Sequence, residues 1–410
     1  MLSSHNLNSN TESNSRVNSA FGNRVLKENL YLPVSQSVGI DAKAETVLIN
    51  SATQPMFGSS HMFNIIEKNV VLNGCTLRLE LPPNVGTNGY QGVYVPGHFF
   101  VDRVNITING QVFELIVDLD NFLRLQLYSV DADRMSSNQA CGLYSSQNLR
   151  VNLSSTTTNN VILIPLKCAI FDVIQPAILN DQHAIQLNVF MNTQAQSIDI
   201  LSGTLTPNNT IISSTLIMKV TRLSAAESYQ RLSLMSRRKF DTIFHSVIPT
   251  TFSALNGSAS STFILSNLLH QNVMQLIICV RASKQGANQF AFTRLNTLNI
   301  LDGASNSLTG GPLNGSYYAN LSNRDNTVSS YNTETSFGLI NNQANFYIHS
   351  FSIDPISALK NGLLYGSRTM QGNESIVLNY VTPLTANMIV DVFAYCENVC
   401  QQGVDGYSKI

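Results

Sequence analysis

Tryptophan is absent from this sequence, and charge is scarce: only 12% of the residues are Asp, Glu, Lys or Arg, about half the share of an ordinary soluble domain. Without indole rings, the broadest flat platform for stacking a sugar is missing. A formal net charge of −1 provides no general phosphate-binding surface, because nucleic-acid affinity rests on clustered Lys and Arg. No sequence-specific nucleic-acid partner is expected, and the one dense basic run, Arg237-Arg238-Lys239, reads as compensation of a helix end. No apolar run approaches the ~20 residues of a membrane-spanning helix, and the first residues lack the apolar core of a signal peptide. The chain is therefore expected to be neither secreted by that route nor integral to a membrane. Six cysteines are scattered along it. The closest pair, Cys396 and Cys400, has neither CxxC spacing nor a second ligand pair nearby, so reduced, mostly buried thiols are expected.

Catalytic constellations are missing too. His5, His61, His98, His183, His245, His270 and His349 are dispersed, with no HExxH or other metal-ligand spacing. Gly310-Gly311 lacks the Lys and Ser or Thr of a phosphate loop, and no GxSxG elbow occurs. Asp118 with Asp120, or Asp131 with Asp133, suit glycosidase chemistry only if the fold sets a pair at the required separation, and helix capping explains the first pair more simply. No catalytic, cofactor-binding or metal-ligating residue is assigned, and no cofactor is expected. The sequons at Asn152, Asn256, Asn314 and Asn373 follow from a composition rich in Asn, Ser and Thr.

What is present is a hydrophobic fraction of 43% in 410 residues, enough for two domains with a core each. The surface this leaves is polar but nearly uncharged, which suits faces buried against copies of the same chain. Residues 1–23, rich in Ser and Asn, read as a flexible N-terminal arm. Beyond it, Leu77, Leu79 and Leu81 alternate with Thr76, Arg78 and Glu80. Val104, Ile106 and Ile108 alternate with polar residues up to a hairpin turn at Asn109-Gly110, followed by a strand from Val112 to Leu115. Leu119, Phe122, Leu123, Leu127 and Val130 share a helical face behind an Asp118 cap, predicting a helix lying on a sheet. Further strands are expected at 161–166, 185–191 and 216–220, then at 242–251, 273–281 (an apolar, buried run), 345–353, 375–381 and 388–395. Residues 302–345, rich in Gly, Asn and Ser, read as an exposed excursion, and 400–410 carry no pattern. Short strands with few helices indicate sandwiches or barrels.

Ser224-Ala225-Ala226-Glu227 is a capping box, with Ala226, Tyr229 and Leu232 following at helical spacing. The flanking halves echo one another. Arg103–Gly110 reappears loosely as Arg294–Gly303 and Ile185–Phe190 as Ile376–Val381, each pair beginning 191 residues apart. Two copies of one β-domain are expected, spanning 24–223 and 241–410 and joined by a linker helix at 224–240.

Several stretches carry a family likeness. They are Glu67–Pro82 (a polar turn, then a strand ending in Leu-Pro), Val101–Gln111, Ile164-Pro-Leu-Lys167, Gln175–Leu179 with Ile185–Val189, and Phe346–Ser352 followed by Asn361-Gly362 and Ser367-Arg368. In order and spacing the chain resembles the double jelly-roll major capsid proteins of nucleocytoplasmic large DNA viruses, virophages and Polinton-like elements. The resemblance implies an all-β fold of two tandem eight-stranded antiparallel jelly-roll barrels with short helices. It also implies a structural, non-enzymatic role: a homotrimeric, pseudo-hexameric capsomer tiling an icosahedral DNA-virus capsid, located in the virion and assembled inside the host cell. The partners it implies are further copies of the chain, neighbouring capsomers, penton and minor capsid proteins, and an internal membrane reached through the arm. The competing readings are a tandem β-sandwich lectin or host-attachment spike, expected to cluster aromatic or metal-binding residues at one loop end of each domain, and a minor or vertex capsid protein.

Overall fold

Strands that alternate apolar and polar residues must pair and then cover one face, and the chain solves this twice. A computed structural model describes residues 43–83, 90–92, 100–117, 158–172, 178–179, 184–200, 210–237, 240–281, 293–314, 317, 346–352, 366–403 and 406–409. Eight principal strands precede a helix at Ala225–Arg237: β1 (Lys43–Asn50), β2 (Ser60–Ile65), β3 (Val70–Leu81), β4 (Val101–Ile108), β5 (Gln111–Val117), β6 (Asn160–Pro165), β7 (Ile185–Met191) and β8 (Ser213–Arg222). They form two antiparallel sheets, ordered β1-β8-β3-β6 and β2-β7-β4-β5.

Eight more follow the helix: β9 (Phe240–Ala254), β10 (Ser260–Ile264), β11 (Asn272–Arg281), β12 (Leu295–Leu301), β13 (Leu313–Asn314), β14 (Phe346–Ser350), β15 (Ser375–Tyr380) and β16 (Met388–Gly403). Their orders are β9-β16-β11-β14 and β10-β15-β12-β13, which repeat the first pair strand for strand. Each set is a two-sheet jelly roll, and each has its own hydrophobic cluster.

The repeated sequences fall on equivalent strands, β4 with β12 and β7 with β15. They also pair in the same way, Ile108 opposite Ile185 and Ile300 opposite Ile376. The spacing slips by one residue along β12, where the ladder shifts between Leu295 and Thr297. Leu77, Leu79, Leu81, Val104, Ile106 and Ile108 all turn into the first core, and a fully buried aliphatic side chain of this kind contributes about 1.5–3 kcal/mol. At the hairpin, Asn109 (φ 51°) and Gly110 (φ 80°) have the left-handed pair of angles that a two-residue turn between twisted strands requires.

Several expectations are corrected. Alternation fails in β5, where a bulge sets Ile106 opposite Glu114 and Thr107 opposite Val112. The extra residue, Phe113, is buried beside buried Glu114, while Val112 and Leu115 are exposed. The unpatterned tail is ordered: β16 runs on to Gly403 and turns back to pair with Gly406–Lys409. The Gly- and Asn-rich region contains β13, paired with β12, and its described part is otherwise largely solvent-facing.

The connecting helix starts where the capping box places it, with the Glu227 amide donating to Ser224 Oγ at 3.2 Å. Its apolar spacing does not mark the buried side, however. Among its described side chains Tyr229 is 75% exposed and Ser228 is buried, with the Ser228 hydroxyl donating to Asn69 Oδ1 at 2.7 Å. The arm at 1–23, the helix expected at 118–130 and most of 315–345 lie outside the described residues.

Candidate assembly surface

The polar groups with the greatest catalytic potential are built into the barrels. His61, on β2, faces inward; its Nδ1 lies 2.8 Å from Ser214 Oγ on β8, and its Nε2 is hydrogen-bonded to the backbone at Met56. This links the two sheets of the first roll across its core, and burial holds the imidazole below its usual pKa. His349 meets Phe351 edge-on, and burial lowers its pKa to about 4. Both rings are therefore neutral at neutral pH. His270 is an exposed turn residue with φ 61°. His5, His98 and His183 lie outside the described residues, as do Asp118, Asp120, Asp131, Asp133 and the sequon at Asn152.

Cys75, Cys168, Cys279 and Cys396 are buried thiols that form no disulfide. Desolvation pushes Cys279 well above its ordinary pKa and Cys396 up to about 12, which keeps them protonated and unreactive. Among the described residues no three His, Cys, Asp or Glu side chains are grouped to hold a metal ion. No described helix is long and apolar enough to cross a membrane. Gly310 and Gly311 sit in a turn at positive φ, where the Gly311 amide donates to Ser307 Oγ at 2.7 Å.

Surfaces distinguish the two rolls more than sites do. In the sheet β9-β16-β11-β14, side chains opposite the core are also buried: Ile277 and Cys279 on β11, Phe393 and Tyr395 on β16. At its end Arg281 Nε donates to the carboxylate of Asp391, with both side chains almost fully buried. The chain itself provides this cover. Strand β9 runs beside β5 and residues Ala169–Asp172 of the first roll, and the connecting helix lies against β16.

The matching face of the first roll, on β1-β8-β3-β6, is open. Leu48 is 65% exposed and Val161 49%, with Ile217 and Leu163 half-buried between them. Polar groups on this face satisfy one another: Glu80 takes hydrogen bonds from Arg78, Ser213 and Asn159, which together lower its pKa. Arg222, at the junction, donates to Glu45 at 3.1 Å and to Glu67 at 3.0 Å. Sequence patterning located the strands but not this contrast, since covering a second face depends on which strands another element packs against.

No protein-family model matches the sequence, and no curated protein is similar to it. Solved structures are similar over nearly the whole chain. VP54 of PBCV-1, in a structure fitted into a reconstruction of the virophage Sputnik, superposes with a TM-score of 0.66 at 12% identity, covering 90% of this chain and 97% of that one. The Faustovirus major capsid protein gives 0.61 at 11%, covering 95% and 96%, and the mavirus major capsid protein 0.50 at 12%, covering 92% and 93%.

The fold is a double jelly roll. Its structural neighbours are major capsid proteins, and the coverage of both chains means that both rolls and their connection are shared with them. The double jelly roll also accounts for the helix at Ala225–Arg237: it bridges from the last strand of one roll, β8, to the first strand of the next, β9.

Proposed function

We propose that this chain is a major capsid protein, a structural coat subunit that is not an enzyme, and that three copies form a pseudo-hexameric capsomer tiling the shell of an icosahedral DNA virus. The observation that carries this reading is the repeated sheet order. Two whole jelly rolls in tandem, matched end to end with viral major capsid proteins, make a broad block of packed antiparallel sheets. The near-neutral, sparsely charged surface supports contact with other subunits rather than with nucleic acid.

The domain plan that goes with it is an arm at 1–23 ordered on assembly, jelly rolls at 24–223 and 241–410, and the linker at 224–240. It is supported by the confinement of all described strand pairing to one side or the other of the helix. Neighbouring capsomers and penton and minor proteins are the partners of this role, with the arm ordering against a neighbouring capsomer or a membrane beneath the shell, in a virion assembled inside the host cell.

The test is the mass of the purified chain in solution by sedimentation or native mass spectrometry. A stable species of three times the chain's 45.0 kDa is expected. A chain that remains monomeric at all concentrations and binds immobilised glycans would overturn the proposal in favour of a tandem lectin.

A further inference from the structure

Resting on that coat-subunit reading, we infer that the end of the molecule carrying the connecting helix is a docking surface for an anionic lipid bilayer. The topology gathers several segments at this end. In the first roll they are the turn at 66–69, between β2 and β3, and the hairpin at Asn109-Gly110, since Ile65, Ile185 and Ile108 stand abreast in their sheet. The helix is fixed to that turn, because the Leu223 amide donates to the Asn69 carbonyl and the Ser228 hydroxyl to its side chain. In the second roll the counterpart turn is 265–271, between β10 and β11. There β16 runs past Val273 to pair with the start of β9, where the helix arrives.

Two features coincide on this end. The first is apolar: Ile66 is 75% exposed and Leu269 47%, in corresponding turns of the two rolls, and Tyr229 of the helix is as exposed as Ile66. The second is cationic. Arg231, Arg237, Arg238 and Lys239 place four of the chain's 24 basic residues within nine positions, with no acidic residue among them. The helix stops at Arg237, whose side chain is exposed. Compensation of a helix dipole falls off within the last turn, so it accounts for Arg237 and leaves Arg238 and Lys239 over. Acidic groups of this end have local partners instead: Arg222 holds Glu45 and Glu67, and the Gln371 and Gly372 amides hold Glu374.

These are the two means by which a protein surface holds to a charged bilayer. Cations attract the headgroups, each strengthening binding about fivefold near the surface, while aliphatic and aromatic side chains enter the boundary with the acyl chains. Nucleic acid would use the cations alone and has no use for Ile66 and Leu269. A capsomer with threefold symmetry presents the surface three times on one side, so contacts weak in one chain become firm in the assembly.

The experiment uses the full chain. Because the sequence has no tryptophan, Tyr229→Trp supplies a single fluorophore on the proposed surface. Leu255→Trp supplies one at the opposite end, in the connection between β9 and β10, where the side chain is also exposed. Each is mixed with vesicles of phosphatidylcholine alone or with one third phosphatidylserine. The Tyr229→Trp emission is expected to shift to the blue, and to be quenched by brominated acyl chains, with the anionic vesicles only; the Leu255→Trp emission should not change. In cosedimentation, replacing Arg237, Arg238 and Lys239 together by Gln is expected to weaken binding to anionic vesicles about a hundredfold without changing the oligomer's mass.

A wild-type trimer that ignores anionic vesicles, or a triple variant that binds them as well as the wild type, overturns the assignment and leaves the coat reading standing. So does a shift seen with Leu255→Trp and not with Tyr229→Trp, or a preference for duplex DNA over anionic vesicles at the same salt. A monomeric wild type overturns the coat reading itself. If the triple variant fails to fold, the two tryptophan variants, which keep every cation, decide the matter.

Discussion

Replacing Asp391 by Asn should be among the most damaging single changes in the second jelly roll. Asp391 stands between Thr251 on β9 and Cys279 on β11 in the ladder. One carboxylate oxygen accepts from Arg281 Nε and the other from Thr251 Oγ1 at 3.0 Å. The two ionic side chains are only 5% and 6% exposed. Removing one partner of such a buried pair leaves the other charge uncompensated and costs about 3–5 kcal/mol. Thr251→Val removes a single hydrogen bond at a position open to water and should cost about 1 kcal/mol. Arg281→Met with Asp391→Leu removes both charges and should recover most of the loss, because the desolvation of the ions disappears with their attraction.

Urea unfolding with hydrogen exchange read on peptides 272–281 and 388–396 localises the effect, while peptide 70–81 reports the first roll. Asp391→Asn is expected to lower protection in the second roll only. If it costs no more than Thr251→Val, or if the double replacement is as damaging as the single one, the pair is solvated or dispensable and the reasoning fails.

His349 should make the second roll sensitive to acid. With a folded pKa of about 4 against about 6.5 in the unfolded chain, the unfolded state takes up the proton first. The stabilisation is thus complete above pH 6.5 and is lost as pH falls to 4, by about 3 kcal/mol in all. His349→Gln should flatten that slope in urea midpoints measured across the range; Glu397, which burial raises, slopes the opposite way in both proteins. Ser224→Ala removes the acceptor of the Glu227 amide and should cost about 1 kcal/mol, seen as faster exchange in residues 225–228. Unchanged exchange there would mean that the Ser228–Asn69 bond alone fixes the start of the helix.

Much of this fold is readable from local rules. Leu77, Leu79 and Leu81 fix one face of β3 by parity, Asn109-Gly110 fixes a register, and Ser224 with Glu227 fixes the start of a helix, each because a few adjacent residues decide the outcome. Elements decided by distant partners are not readable. The bulge at Phe113 inverts the parity of β5 because of its pairing with β4, and no alternation within Val112–Leu115 records it. Strand β13 has two residues, too few to show a period. Tyr229 has the right spacing for a buried helical face, yet Asn69 draws the neighbouring Ser228 inward instead. The candidate surface was the least legible part: Leu48 and Val161 look like ordinary strand residues until the topology shows that the matching sheet of the second roll buries Ile277, Cys279, Phe393 and Tyr395 on its outer face.

The scarcity of charge with which the sequence opens then acquires a physical reason. A subunit with one large face sealed inside the chain and, on the proposed role, other faces sealed by its neighbours must desolvate most of its surface. An amide or hydroxyl that ends up imperfectly paired costs a few kcal/mol, whereas an unpaired buried ion costs far more. Asn, Ser, Thr and Gln are therefore safer on such surfaces than Lys and Glu. Charges on the open face of the first roll and at its junction are accordingly paired before assembly: Arg78 with Glu80, and Arg222 with Glu45 and Glu67. A face prepared in this way has no strong field to attract wrong partners and few ions to strip of water, so its selectivity rests on shape and on the placement of a few apolar side chains such as Leu48 and Val161.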